Sequence, residues 1–116
     1  MAQTTVLSLL PQTPYSPSTS LVRGAKQPAA AYYLANSDLQ TVSWSLNNFT
    51  GTISFQVSLV TSPNEASDSD WFSVQSHVYT STSGTFYNNI IGNFVWIRAV
   101  ASNFTQGVIQ NVKVSY

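Results

Sequence analysis

The sequence predicts an all-β protein: a single antiparallel β-sandwich, jelly-roll or immunoglobulin-like, of about seven to eight strands, with an extended Pro-rich N-terminal arm. Three observations point there. β-branched and aromatic residues dominate the foldable windows, apolar and polar residues alternate with period two, and turn residues recur about every 8–12 positions. No window shows the spacing of an amphipathic helix. At 116 residues the chain builds one such core and not two. It divides into residues 1–29, a first strand plus the arm, and residues 30–116, the sandwich domain.

Taken in order, residues 4–10 form a short strand of Thr, Val, Ser and Leu. Residues 11–29 hold four of the five prolines and one glycine. Proline donates nothing to a ladder, so this stretch is an extended arm or loop and not a central strand. A connection this long is either partner-bound or laid on its own domain. In the first case Pro11, Pro14, Tyr15, Pro17, Leu21 and Val22 are the partner-binding residues.

From residue 30 the pattern is strand after strand. Residues 31–34 are short and aromatic. In residues 39–46, Val42, Trp44 and Leu46 alternate with Thr41, Ser43 and Ser45. Asn47 to Gly51 reads as a turn, and residues 53–60 alternate again, with Ile53, Phe55, Val57 and Leu59 on one side. The two runs are expected to pair as an antiparallel hairpin. Residues 61–70 are a polar loop with three of the four acids, Glu65, Asp68 and Asp70. Strands follow at 71–80 and 85–91, separated by a turn at 81–84, and then at 94–101, apolar on both faces as in a strand covered on both sides. In the last segment Val108, Val112, Val114 and Tyr116 share a face. Asn48-Phe49-Thr50-Gly51 is echoed by Asn103-Phe104-Thr105-Gln106-Gly107, each after a Trp-bearing strand. Both are read as turns of similar hairpins, with Asn in the left-handed conformation and Phe plugging the sandwich end, in preference to a true duplication.

Candidates for chemistry are few. His77 is the only histidine and reads as an ordinary partly buried strand residue. Asp68-Ser69-Asp70 lacks the rest of a calcium loop and reads as solvated. No Gly-x-Ser-x-Gly elbow, phosphate loop or dinucleotide fingerprint is present. The expectation is a non-enzymatic protein without metal or cofactor. Asn48 and Asn103 match the glycosylation pattern, which turn chemistry already explains. Trp44 and Trp96 are assigned to the core, and Trp71 to the surface. An exposed Trp71 with Tyr79 and Tyr87 would give an alternative reading, a carbohydrate-binding module that stacks sugar rings. Arg98 lies in an apolar strand, and either is buried with a carboxylate or carbonyl partner, Asp70 or Asp38 serving, or lays its stem over Trp96 with its head in water.

Charged residues make up 7% of the chain, against about 25% in soluble domains, and the net charge is zero. Arg23, Lys26, Arg98 and Lys113 form no patch in the sequence, which argues against nucleic acid. Near-zero charge removes repulsion between copies and favours association. Cysteine is absent. The apolar run within residues 1–12 is too short for a signal peptide, and no stretch approaches the roughly 20 apolar residues of a membrane helix.

Residues 39–116 carry Phe49-Thr50-Gly51-Thr52-Ile53, then Ser62-Pro63-Asn64-Glu65 leading to Asp70-Trp71-Phe72. Gly92-Asn93-Phe94-Val95-Trp96-Ile97-Arg98-Ala99 follows, and Phe104-Thr105, Gly107-Val108-Ile109 and residues 112–116 close the pattern. This segment resembles virion structural proteins of tailed bacteriophages, in particular cyanophage-type tail, baseplate and fibre modules or capsid decorations. The resemblance implies a small sandwich that joins or decorates virion parts by protein–protein contact. It further implies other virion proteins as partners, a homo-oligomer of trimer or higher order, and residence in the virion after synthesis in the host cytoplasm. Glycan is the alternative ligand.

Overall fold

The computed structural model describes residues 6–17, 20–30 and 39–116. The expected strand at 31–34 and Asp38 lie outside these residues, as do Thr4 and Thr5. The protein is all-β, one antiparallel sheet of seven strands. Four are short: β1 (Val6–Leu10), β2 (Thr13–Pro14), β3 (Val22–Arg23) and β4 (Gln27–Pro28). Three are 20 residues long: β5 (Leu39–Ser58), β6 (Phe72–Ile91) and β7 (Trp96–Ser115).

β5 lies at the centre, with β6 on one side and β7 on the other. The outer side of β7 is covered by the N-terminal segment, which runs antiparallel along it. Val6 faces Ser115, Thr13 faces Ile109, Val22 faces Ala101 and Pro28 faces Trp96. The arm is therefore a fourth, interrupted strand of its own sheet, broken where Pro11 and Pro17 cannot donate. It belongs to the same core, since Leu9, Leu10 and Ala29 are buried with the sandwich residues.

A straight 20-residue strand would run roughly 63 Å at about 3.3 Å per residue. The whole molecule extends 41 × 33 × 18 Å, so the long strands must fold over. Each has a residue near its middle with positive φ: Asn48 (φ 53°), Ser81 (φ 45°) and Asn103 (φ 51°). The ladders slip at the same level, between Leu46 and Gly51 on β5. At Gly107 (φ 89°) a Cβ would overlap the Asn48 carbonyl, so that bend needs glycine. The result is two layers built from the two halves of the same strands.

These bends correct the expected topology. Residues 39–46 and 53–60 are not the arms of a hairpin; 39–46 and 53–58 lie in two halves of β5, each flanked by β6 and β7. Residues 81–84 likewise bend one strand without ending it. The sequence echo marks equivalent bends in neighbouring strands, not two hairpin turns. Left-handed Asn and buried Phe do occur as expected: Phe49 and Phe104 meet edge to face at 5.0 Å.

Between the layers, Trp44 meets Phe55 at 5.2 Å and His77 at 4.7 Å. Its Nε1–H donates to the Tyr79 hydroxyl at 2.8 Å. Ile53, Phe55 and Val57 are buried, but the strand ends at Ser58, leaving Leu59 and Val60 exposed rather than continuing the inward row. Trp96 is half-buried on the outer side of β7, not in the core. The alternation expected from Val108 is broken at Gln110, which the ladder skips between Ile109 and Asn111. The core residue is therefore Ile109, and Val108 is only half-buried. Ile97 to Ala101 are all buried, as expected of a strand covered on both faces.

Candidate functional sites: a buried arginine and an open strand edge

Ile97, Ala99 and Ala101 point into the core. Alternation turns Arg98 and Val100 to the other face, where the loop of residues 59–71 covers Arg98. Arg98 has no solvent exposure. Its Nε donates to Gln56 Oε1 at 2.8 Å, across the ladder. One terminal nitrogen donates to the Glu65 carbonyl at 2.8 Å; the other reaches the Ser67 carbonyl at 3.1 Å and Asp68 Oδ1 at 2.9 Å. The guanidinium lies 4.3 Å over the Trp71 ring. Desolvation lowers the Arg98 pKa, and the Asp68 charge opposes that shift. Among the described residues no buried side-chain nitrogen or oxygen lacks a partner.

Of the two readings of Arg98, the buried one with carboxylate or carbonyl partners is the one the structure shows, and its head does not reach water. The carboxylate partner among the described residues is Asp68, not Asp70. Asp70 instead accepts from the Asn64 N–H at 2.8 Å and closes the loop on itself. The acidic loop is also tied to the arm: Arg23 contacts Asp68 at 3.3 Å, and Glu65 Oε1 accepts the Lys26 N–H at 2.7 Å. The Arg23 hydrogen bond holds Asp68 below the usual carboxylate range. Among the described residues no cluster of His, Asp or Glu is arranged to hold a metal ion. His77, against the Trp44 ring, has its pKa lowered by burial.

The sugar-stacking trio does not assemble. Trp71 was expected at the surface, but it is only 6% exposed, with its Nε1–H donating to the Asn64 carbonyl. Tyr79 faces the interlayer space, stacks on Phe86 at 5.4 Å, and has its pKa raised by burial. Tyr87 alone is open to water. The register explains the split: Tyr79 is opposite Gly51 at the bend, whereas Tyr87 is opposite Ser43 on the outer face.

The proposed arm residues are mostly outward. Pro11, Pro14, Tyr15, Pro17 and Leu21 are exposed and Val22 is half-buried. Their backbone is committed to their own chain: Tyr15 N–H donates to the Gly107 carbonyl at 2.9 Å, and its ring lies 5.9 Å from Phe104.

The opposite margin of the sheet is different, and sequence reasoning missed it. Among the described residues no strand pairs with the outer side of β6. β6 contains no proline and no Asp, Glu, Lys or Arg in its 20 residues. Its side chains on the outer faces form an uncharged ladder with β5, through Thr41–Asn89 at 2.7 Å, Ser45–Thr85 at 2.9 Å and Ser54–Ser76 at 3.0 Å. Val78, Tyr87 and Ile91 stand out from it, 77%, 74% and 72% exposed. The sequence signal was available: residues 71–97 form the longest run in the chain without proline or charge, and β6 lies inside it.

Comparison with protein-family models, curated proteins and solved structures finds no match for this chain. No helix among the described residues is long and apolar enough to cross a membrane.

Proposed function

We propose that this chain is a non-enzymatic structural module that works by joining other proteins, and that the assembly it belongs to is a tailed-phage virion. The observation that carries the module reading is the open β6 edge. A strand edge of this length, unpaired among the described residues, offers a row of backbone donors and acceptors to another chain, and β-strand addition uses such an edge. Folded proteins ordinarily blunt such edges with lysine, proline or a covering loop, and β6 has neither charge nor proline. The bent, doubly layered sheet and the clamped Arg98 loop suit a rigid connector. The virion setting is what the resemblance of residues 39–116 supports. A glycan platform is not carried forward, because Trp71 is buried and Tyr79 faces the core.

The test is compositional. Purified particles from a phage encoding this chain should contain it in a fixed ratio to the major structural proteins, read by quantitative mass spectrometry. Absence from washed particles would remove the virion reading.

A further inference from the structure

We infer that the β6 edge takes a second copy of this chain, joined antiparallel about a two-fold axis at Asn89. The inference rests on the module reading above and names the partner for its open edge. The outward direction at Asn89 is fixed by its hydrogen bonds. Its N–H donates to the side chain of Asn88 at 2.9 Å, and its carbonyl accepts from the Gln75 side chain at 3.1 Å. Neither group is spent on β5. They face the open margin, where among the described residues the Asn88 and Gln75 side chains cap them, and an incoming strand displaces those caps. Backbone alternation then turns the N–H and carbonyl groups of Tyr87 and Ile91 outward too.

An antiparallel partner must set outward-pointing residues opposite one another. With Asn89 facing the second copy's Asn89, Tyr87 faces the second copy's Ile91, and Ile91 its Tyr87. The two large apolar side chains left in water on this half of β6 thus cover each other, once on each side of the axis. Aromatic against β-branched is a favourable cross-strand pair. Leu39, beside Ile91 in the ladder and 48% exposed, extends the apolar row. A one-step slip, centred on Asn88, sets Tyr87 against Asn89 and loses this match. No charge on β6 opposes its own copy, and the chain's net charge is zero.

The same geometry limits growth. The other margin is the arm, with Pro11, Pro14, Pro17 and Pro28 along it, so it presents few donors. Pairing through one edge of each copy closes at two. The trimer or higher order implied by the resemblance would need further contacts elsewhere.

The test is sedimentation velocity of the full chain over a concentration series. Wild type should shift from monomer to dimer. Tyr87→Lys should weaken the dimer about tenfold, by losing both symmetry-related cross-strand pairs. Adding Ile91→Glu should restore it, since Lys at 87 then faces Glu at 91 of the other copy. Within one copy these positions are roughly 13 Å apart, too far to pair. Asn89→Pro, which removes an outward donor and no bond to β5, should abolish dimerisation. Strictly monomeric wild type overturns the inference, as does a dimer indifferent to the Lys–Glu exchange. These outcomes separate from the virion reading: a monomer found in particles overturns pairing alone, and a dimer absent from particles overturns virion membership alone.

Discussion

The two margins of the sheet are built in opposite ways. The arm margin is interrupted, proline-rich and fastened down by side chains: Leu9 and Leu10 in the core, Arg23 on Asp68, and the Lys26 ammonium 4.5 Å over the Trp96 ring. The β6 margin is continuous and uncharged, and among the described residues no strand other than β5 pairs with it. Stability is invested on one side, while the other is left available. An edge that could aggregate persists where something is meant to bind it.

The sharpest way to break this contrast is to remove the arm. Deleting residues 1–29 strips the strand from β7 and takes Leu9 and Leu10 from the core. Each buried leucine is worth about 2–5 kcal/mol, against a total stability of about 5–15 kcal/mol for a domain this size. The truncated chain is expected to lose its cooperative thermal transition by circular dichroism. A truncated protein that melts cooperatively would show the arm to be an accessory.

Single substitutions sharpen the same contrast. Leu9→Ala should cost about 2–5 kcal/mol in urea denaturation, while Val78→Ala on the open margin should stay within about 0.5 kcal/mol. Gly24→Ala, where a Cβ would overlap the Leu9 carbonyl, should cost about 1–3 kcal/mol by forcing β1 and β3 apart. Equal losses at Leu9 and Val78 would erase the distinction between the margins.

The smallest effect is in acid. Asp68 has a lowered folded-state pKa, so it stabilises the fold above its ordinary value near 3.8 and loses that contribution as pH falls through the lower folded value. Its side chain is 58% exposed, so solvent screening limits the gain to about 1 kcal/mol or less. Asp68→Asn should flatten the stability profile below about pH 4 and lower the plateau slightly near neutrality. A mutant whose stability keeps the wild-type acid dependence would exclude this anchor.

Much of the architecture was legible in the residues. Period-two alternation located the inward side of β5, because Trp44, Ile53 and Phe55 have nowhere else to go, whereas in β7, apolar on both faces, it put Trp96 in place of Ile97 in the core. The bends were visible as Asn-Phe-Thr echoes, but a left-handed Asn serves a hairpin turn and a mid-strand bend equally well. Only the long-range ladder, with β5 flanked by β6 and β7 along both halves, tells them apart. Arg98 could be flagged as needing partners, yet three of its acceptors are Gln56 and the carbonyls of Glu65 and Ser67, and a carbonyl leaves no mark on sequence. The surface placement of Trp71 failed for the same reason, since a loop residue is covered or bare according to where the guanidinium lands. The β6 margin was overlooked because it is marked by what it lacks.

The most direct measurement is amide hydrogen exchange at Tyr87, Asn89 and Ile91, by NMR at low and high protein concentration. Their N–H groups face the open margin, so pairing with a second copy should slow their exchange as concentration rises. Phe86, Asn88 and Ile90, whose alternation turns them toward β5, should change little. Equal exchange at Tyr87, Asn89 and Ile91 across the concentration range would contradict a self-pairing β6 edge.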